Sequence, residues 1–419
     1  MSDSDGLTLL ARLQARLRPA AREALDACEA ACNDAGLRLY LVGGPVRDLM
    51  LDRESVDLDL AVEGDAEPVA RRVAAQLEAR AVIHPRFGTA NVSGHGFNVD
   101  LARTRRETYA HPGALPAVTP ATLVEDLARR DFTINAMALQ LSPNAGELVD
   151  PYRGEADLRG GLIRVLHDRS FQDDATRMLR AARYACRFGF KLQRDSEALL
   201  KRDLEYLERI SGPRLRRELA LLFEEPDAVE GVLLAQRLGV LQAIHPALRV
   251  AADVAARWRQ ALQDHKQAPL DELGFCLLAN PKDAGDVASV TQWLHLTGRV
   301  ERALKYLVRL RGESAKLAQA SRSPVAAVEL LDACVPSAIW ALSVLDTGDA
   351  GAACATYLAR WRHQRPHLTG NDLLELGVAP GVAVGEMLKQ LRRARLQVEE
   401  MTREEEIELV QASLPGRVR

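Results

Sequence analysis

The sequence predicts an α+β chain, with a small mixed sheet in the first 150 residues and helices almost to the end. Before residue 150 short apolar runs alternate with helix-periodic stretches, whereas from about Phe171 onward the helical period dominates. The bulk numbers agree: 419 residues, 47% hydrophobic and 27% charged, describe a folded chain of several domains and exclude a disordered or collagen-like one.

Each element has its own signal. Residues 37–42 (LRLYLV) read as a strand, Gly43-Gly44 as a tight turn, and Pro45 to Leu51 as a short helix with proline at its first position. SVDLDLAV, residues 55–62, alternates apolar and acidic with the period of a half-exposed strand. Glu67 to Ala79 is helical; 80–84, 88–93 and 96–102 are strand-like, with GHG as the hairpin turn between the last two. The helices of this head are expected on one face of the sheet. Residues 104–120 hold four prolines or glycines and little periodicity, a loop of the length usually reserved for function. Breakers at Gly189, Gly212-Pro213, Pro226 and Pro246 punctuate the helical part, and boundaries near 225 and 340 divide it into residues 151–225, 226–340 and 341–419.

The net charge of −3 conceals a basic segment: Arg177 to Arg217 carries twelve Lys or Arg against five Asp or Glu. Such a run is either a solvated helix surface or a phosphate-binding face. Six scattered cysteines form no CxxC pair, and His84, His95, His111 and His167 lack ligand-like spacing, so neither zinc nor a disulfide framework is expected. With no eighteen-residue apolar stretch and no secretory pattern at the start, a cytoplasmic protein without a membrane partner is expected.

The sharpest chemistry lies in residues 43–64. In a strand, Asp57 and Asp59 point to one face with Cα atoms about 6.6 Å apart. Two adjacent carboxylates repel, and a hard divalent cation relieves them; Mg²⁺ takes one or two carboxylates, water and substrate phosphate oxygens. The pair therefore points to phosphoryl or nucleotidyl transfer, against the alternative of a solvated strand face. The preceding Gly43-Gly44 lets backbone approach a ligand, and the following helix offers N–H groups to phosphate oxygens, with Arg47 placed to clamp one. Asp100, in the strand FNVDLA, is positioned to complete a carboxylate triad.

Together, LVGGPVRDLML, VDLDLAVEG, RRDFTINAMAL (129–139), DDATRMLRAARYACRFGF (173–190), ISGPRLRREL (210–219) and LTGNDLLELGVAPGVAVGEMLKQL (368–391) resemble the bacterial-type, class II tRNA nucleotidyltransferases and poly(A) polymerases of the polymerase β-like superfamily. The resemblance implies a nucleotidyltransferase head over residues 1–150 followed by an all-α neck, body and tail. It also implies Asp57 and Asp59 as Mg²⁺ ligands, Gly43, Gly44 and Arg47 at the triphosphate, and Arg130, Asp131 and Asn135 at the nucleotide ribose or phosphates. The implied partners are CTP, ATP and the 3′ acceptor end of tRNA.

Asp174 and Arg177 stand three apart on a predicted helix and so share a face. A carboxylate accepts and a guanidinium only donates, which matches the donor-beside-acceptor edge of both cytosine and adenine. Guanine and uracil present the opposite polarity, a mismatch worth roughly 10⁴ to 10⁵ in a site built to hydrogen-bond its substrate. The family pattern has Glu where this chain has Asp173. Arg180, Arg183 and Arg187 recur at helical spacing beside this pocket and are candidates for holding the triphosphate and the primer end. Arg392, Arg393 and Arg395 are candidates for gripping tRNA phosphates. CCA addition is the leading expectation and A-addition the alternative. A CC-adding enzyme would lack the 104–120 loop, and a poly(A) polymerase would carry a more basic C-terminal extension.

Overall fold

The computed structural model describes residues 3–53, 57–108, 117–264, 269–319, 324–398 and 400–414. Two helices absent from the sequence expectation, α1 (Asp3–Arg16) and α2 (Pro19–Asp34), lead into the head. Strands β1 (Arg38–Val42), β2 (Leu58–Glu63), β3 (Arg80–His84), β4 (Thr89–Gly94) and β5 (Phe97–Arg103) follow, with α3 (Gly44–Met50) and α4 (Ala66–Gln76) between them. A separate antiparallel ribbon, β6 (Arg105–Thr108) and β7 (Ala117–Pro120), precedes α5 (Leu123–Ala128), and β8 (Ala138–Ser142) and β9 (Leu148–Val149) complete the sheet. Its order is β3-β4-β5-β2-β1-β8-β9, with β2 and β5 parallel at the centre and every other neighbouring pair antiparallel.

The period of two along the strands separates two unlike faces. Leu39 and Leu41 of β1, Leu58 and Leu60 of β2, and Val99 and Leu101 of β5 are buried on one side, and α2 and α4 pack against the sheet through their own buried residues, among them Leu25, Cys28, Val69 and Val73. On the opposite side Tyr40, Val42, Ala61 and Ala138 form a cluster with Leu123 and Leu127 of α5. Helices therefore cover both faces, which corrects the one-face expectation: the second face is covered only where its strand residues are apolar. The remainder of that face carries Asp59, Asn91, Asn98 and Asp100.

The loop expected at 104–120 is also corrected. Residues 105–108 and 117–120 pair as the ribbon, and α5 after it starts with a Thr122/Glu125 capping box; His111 and the other residues of 109–116 lie outside the described residues. Beyond the sheet come α6 (Gly154–Gly160), β10 (Leu162–Ile163), α7 (Ser170–Asp173), α8 (Thr176–Phe188), β11 (Lys191–Leu192), α9 (Arg194–Arg202), α10 (Gly212–Phe223) and α11 (Ala228–Arg237), with β10 and β11 paired in parallel.

Two compact units emerge. One comprises Met1–Arg214 and Glu225–Ala243, the other Leu215–Glu224 and Ile244–Arg419. The second is helical throughout its described residues. Its core centres on Phe223, edge-on to Phe275 at 5.2 Å between ring centroids and tilted against Trp258 at 6.1 Å. Gly274 admits that ring, since a Cβ there would lie 2.5 Å from it. Near the C-terminus Leu368, Leu373, Val378, Met387, Leu391 and Val410 pack together. Fully buried Glu406 accepts hydrogen bonds from the backbone N–H groups of His367 and Leu368 and from Arg395 Nη1. No helix among the described residues is long and apolar enough to cross a membrane.

Candidate nucleotide and metal site

Sheet register brings the acidic residues together. Asp59 on β2 stands opposite Asp100 on the parallel neighbour β5, and Asp100 stands opposite Asn91 on β4. Asn91 Nδ2 donates to Asp100 Oδ1 at 2.8 Å and to Asn98 Oδ1 at 2.9 Å, fixing the edge of the group. Asp57 is exposed and stands immediately before β2, two residues from Asp59. Asp59 still feels it: burial first, then the charges of Asp100 and Asp57, push the Asp59 carboxyl above its usual range, with Arg130 opposing them.

This is the donor set a hard cation needs. Among the described residues no three His, Cys, Asp or Glu side chains converge enough to hold an ion unaided. An ion shared with substrate phosphates requires only one or two carboxylates, and the mutual repulsion around Asp59 is what a divalent cation would relieve. Asp57 and Asp59 thus fit the group.

The glycine turn adjoins this cluster. Gly43 caps α3 at φ 74°, ψ −124°, and its N–H donates to Met137 O at 2.9 Å. A Cβ at Gly43 would lie 2.3 Å from Arg130 Nη1, so only glycine admits the guanidinium over the turn. Arg130 thus lies over the turn, its Nη2 donating to Asp126 Oδ2 at 3.3 Å and its charge opposing those around Asp59. Gly44 opens the helix itself.

Arg47 does not present an open clamp. It is 4% exposed; its Nε and Nη2 bond Asp48 at 3.0 and 2.9 Å, its Nη1 bonds Asn135 Oδ1, and its guanidinium lies 4.6 Å from the Phe188 ring centroid. Asn135 Nδ2 in turn donates to Asp131 Oδ1 at 2.9 Å, and Arg180 Nε donates to Asp131 Oδ2 at 2.9 Å. Burial pushes the Asp131 carboxyl up, but the charge of Arg180 and hydrogen bonds from Asn135 and Arg180 outweigh it and hold it below its usual range. The turn, the RRD segment and α8 are thereby joined in one connected network.

The Asp174–Arg177 expectation needs correction. Asp174 lies between α7 and α8 in extended backbone at φ −145°, ψ 99°, where its Oδ1 accepts from Thr176 N at 3.1 Å, Thr176 Oγ1 at 2.7 Å and Arg214 Nη2 at 2.9 Å. An Asp at a helix start bonds the free N–H groups there, which overrides the spacing argument. Arg177 is buried and donates to Ser170 Oγ at 2.9 Å and to Arg129 O at 2.7 Å. Asp173 closes α7, its Oδ2 3.7 Å from His167 Nε2. Arg183 and Arg187 converge on buried Glu225, at 3.5 and 2.8 Å.

Sequence reasoning missed several partners. Asp126 is buried and accepts from Arg105 N, Arg129 and Arg130; its spacing of three and four from the two arginines was a legible signal. Glu225, Arg214 and Phe188 gave no such local sign. Arg392, Arg393 and Arg395 are paired with Asp332, Glu329 and Glu406.

A carboxylate cluster beside a glycine turn, on the open half of a mixed sheet, defines a nucleotidyltransferase head. Residues 39–164 match the "Poly A polymerase head domain" family and residues 189–251 the "Probable RNA and SrmB- binding site of polymerase A". The chain is 33% identical to the A-adding tRNA nucleotidyltransferase of Halalkalibacterium halodurans, over 84% of this chain and 83% of that protein. It is 34% identical to the A-adding tRNA nucleotidyltransferase of Geobacter sulfurreducens over 89% of this chain, yet spans only 45% of that longer protein. The solved Thermotoga maritima CCA-adding enzyme complexed with tRNA superposes with a TM-score of 0.77 at 26% identity, covering 97% of this chain and 98% of that one. The chain belongs to the tRNA nucleotidyltransferase family.

Proposed function

We propose that the protein extends the 3′ end of tRNA without a template, transferring CMP and AMP from CTP and ATP with release of pyrophosphate. The 3′ oxygen attacks the α-phosphorus, the bond to the β-phosphate oxygen breaks, and the hydroxyl proton is lost. The observation that carries this reading is the register of Asp59 against Asp100 beside Gly43 and Arg130. Mg²⁺ held by Asp57 and Asp59 would supply the charge that activates the hydroxyl and neutralises the triphosphate. Asp100, anchored by Asn91, adds negative charge at the strand opposite. Arg130, over Gly43, meets the phosphates, and Arg47 with Asn135 and Asp131 holds the turn in register with α8.

Base choice is assigned to Asp174 and Arg177. Asp174 accepts from Arg214 through Oδ1 and Arg177 donates to Ser170, contacts that fix both side chains at the start of α8. The remaining helices would serve as neck, body and tail, holding the tRNA through its phosphates and A-form shape.

A second reading, addition of the terminal A alone, is favoured by the two A-adding relatives matched over most of this chain. Purified protein with Mg²⁺ and labelled CTP or ATP, offered tRNAs ending before CCA, after C and after CC, separates them. Incorporation of both nucleotides on the first substrate supports CCA addition. ATP incorporation only after CC selects the A-adding reading, and no incorporation on any substrate overturns both.

A further inference from the structure

Arg130 is the cation lying over the glycine turn, and its position is set from α5. Its Nη1 fills the space that a Cβ on Gly43 would need, its charge opposes those around Asp59, and its Nε is buried without a hydrogen-bond partner among the described residues. The bond that fixes the guanidinium runs from Nη2 to Asp126 Oδ2 at 3.3 Å. Asp126 itself is only 2% exposed. It stands on α5, whose Leu123 and Leu127 are buried in the cluster with Tyr40 and Ala138, and Arg129 continues the helical backbone at φ −81°, ψ −8°. Residues three and four beyond Asp126 therefore return to its side.

The carboxylate divides its two oxygens unequally. Oδ1 accepts from Arg105 N at 3.2 Å, Arg129 Nε at 3.0 Å and Arg129 Nη2 at 2.8 Å, whereas Oδ2 accepts from Arg130. Glu107 faces the same arginines from the ribbon, taking Arg129 Nη1 at 2.8 Å and Arg105 Nη2 at 3.3 Å. Three arginines thus meet two acids, which leaves one positive charge over. A carboxylate needed only to fasten the root of β6 to α5 would be satisfied through Oδ1. The second oxygen points the same anchor at the turn.

We infer that Asp126 is a positioning residue for nucleotidyl transfer: through Oδ2 it holds Arg130 over the glycine turn, where the triphosphate binds. The inference rests on the reading above that Arg130 meets the phosphates. Arg130 contacts the same phosphates before and during transfer, so misplacing it weakens triphosphate binding and spares the chemical step. Asp126→Asn is the selective lesion. Its single carbonyl oxygen follows the three donors that Oδ1 accepts, which turns the amide NH₂ toward Arg130 Nη2, a donor facing a donor.

The test measures steady-state incorporation from ATP into a tRNA ending in CC, inhibition by inorganic tripolyphosphate, and thermal unfolding. Asp126→Asn should raise KM for ATP about 10-fold with kcat within about 2-fold of wild type, and should weaken tripolyphosphate inhibition by the same factor. Asp126→Glu keeps both oxygens but displaces them by a methylene; it should raise KM about 3-fold, and it supplies the same reading should the amide variant not fold. Combined with Arg130→Gln, Asp126→Asn should add nothing to the loss from Arg130→Gln alone, because both act through one contact. Glu107→Gln, which acts on Arg105 and Arg129, should keep the wild-type KM. An unchanged KM in whichever Asp126 variants fold would overturn the inference, as would an equal loss in Glu107→Gln or losses that add in the double variant. A wild-type KM in Arg130→Gln, or a wild type that incorporates nothing, defeats instead the functional reading itself.

Discussion

Two sets of carboxylates occupy the first unit, and their surroundings are opposite. Asp126, Asp131, Asp157 and Glu225 are buried and saturated: Asp126 by Arg129 and Arg130, Asp131 by Arg180 and Asn135, Asp157 by Arg164 and Thr133, Glu225 by Arg183 and Arg187. Asp59 and Asp100 sit on the open half of the sheet with Asp57 just before β2, and Asp59 is destabilised as an anion by burial and by the other two. A matched carboxylate holds architecture together. A clustered, under-compensated one stores repulsion that a proton or a bound cation relieves, and folding tolerates it because the rest of the sheet is well packed.

The largest expected effect breaks the second set. Asp59→Ala should lower the rate of nucleotide incorporation by about 10³-fold or more, since a metal-supported transition state is worth several kcal/mol. The same variant should melt at or above the wild-type temperature and bind tRNA normally, because it removes a repelled charge. A loss of folding in step with activity would place Asp59 in the structural set. Next is Asp131→Ala, which removes the carboxylate shared by Arg180 and Asn135 and should cost about 3 kcal/mol by denaturant titration. The Asp131 carboxyl is held low, so its stabilisation is present above the ordinary carboxylate range and is lost as pH falls through its folded value. Asp131→Asn should accordingly flatten the acid limb of the wild-type stability profile; an unchanged limb would remove Asp131 from the matched set.

The division between the sets was partly legible in the sequence. The glycine turn, the Asp57/Asp59 pair and the helical second half follow from local spacing alone. Asp100 was a candidate only because its strand was recognisable; that β5 lies parallel beside β2 is a long-range pairing no local pattern carries. The Asp174 error has a specific origin, since a side chain that bonds Thr176 N takes its residue out of the helix whose spacing placed it. Neutralisation of Arg392 by Asp332 spans sixty residues, beyond the reach of any charge count along the chain. Strands β6 and β7 were hidden likewise, because RRET and AVTP pair only across the intervening segment.

A smaller effect sharpens the comparison at its seam, where Arg130 serves both sets, bonded to Asp126 and opposing the charges around Asp59. Gly43→Ala forces that guanidinium away from the turn and strains a backbone at φ 74°. A cost of about 1–2 kcal/mol corresponds to roughly 10-fold in kcat/KM for the triphosphate. Steady-state kinetics should show it chiefly as a raised KM; unchanged kinetics would detach Arg130 from the phosphates.

The smallest expected effect asks whether a raised carboxyl marks function by itself. Glu29 on α2 is half-buried, and burial followed by the charge of Asp26 pushes it up to about 7, yet it lies on a helix that packs against the other face of the sheet. Its folded value exceeds the unfolded one, so between the ordinary Glu range and about pH 7 the folded state keeps a proton the unfolded state has released. Stability therefore falls as pH rises across that window, and the penalty is complete above it. Glu29→Gln should remove the penalty, raising stability at pH 8 by about 1 kcal/mol after allowance for its partial exposure, with no gain at pH 4. Nucleotide incorporation should be unchanged, because what distinguishes Asp59 is not its raised carboxyl but the two acids and the glycine turn beside it. Impaired transfer by Glu29→Gln at undiminished stability would show that this distinction has been drawn in the wrong place.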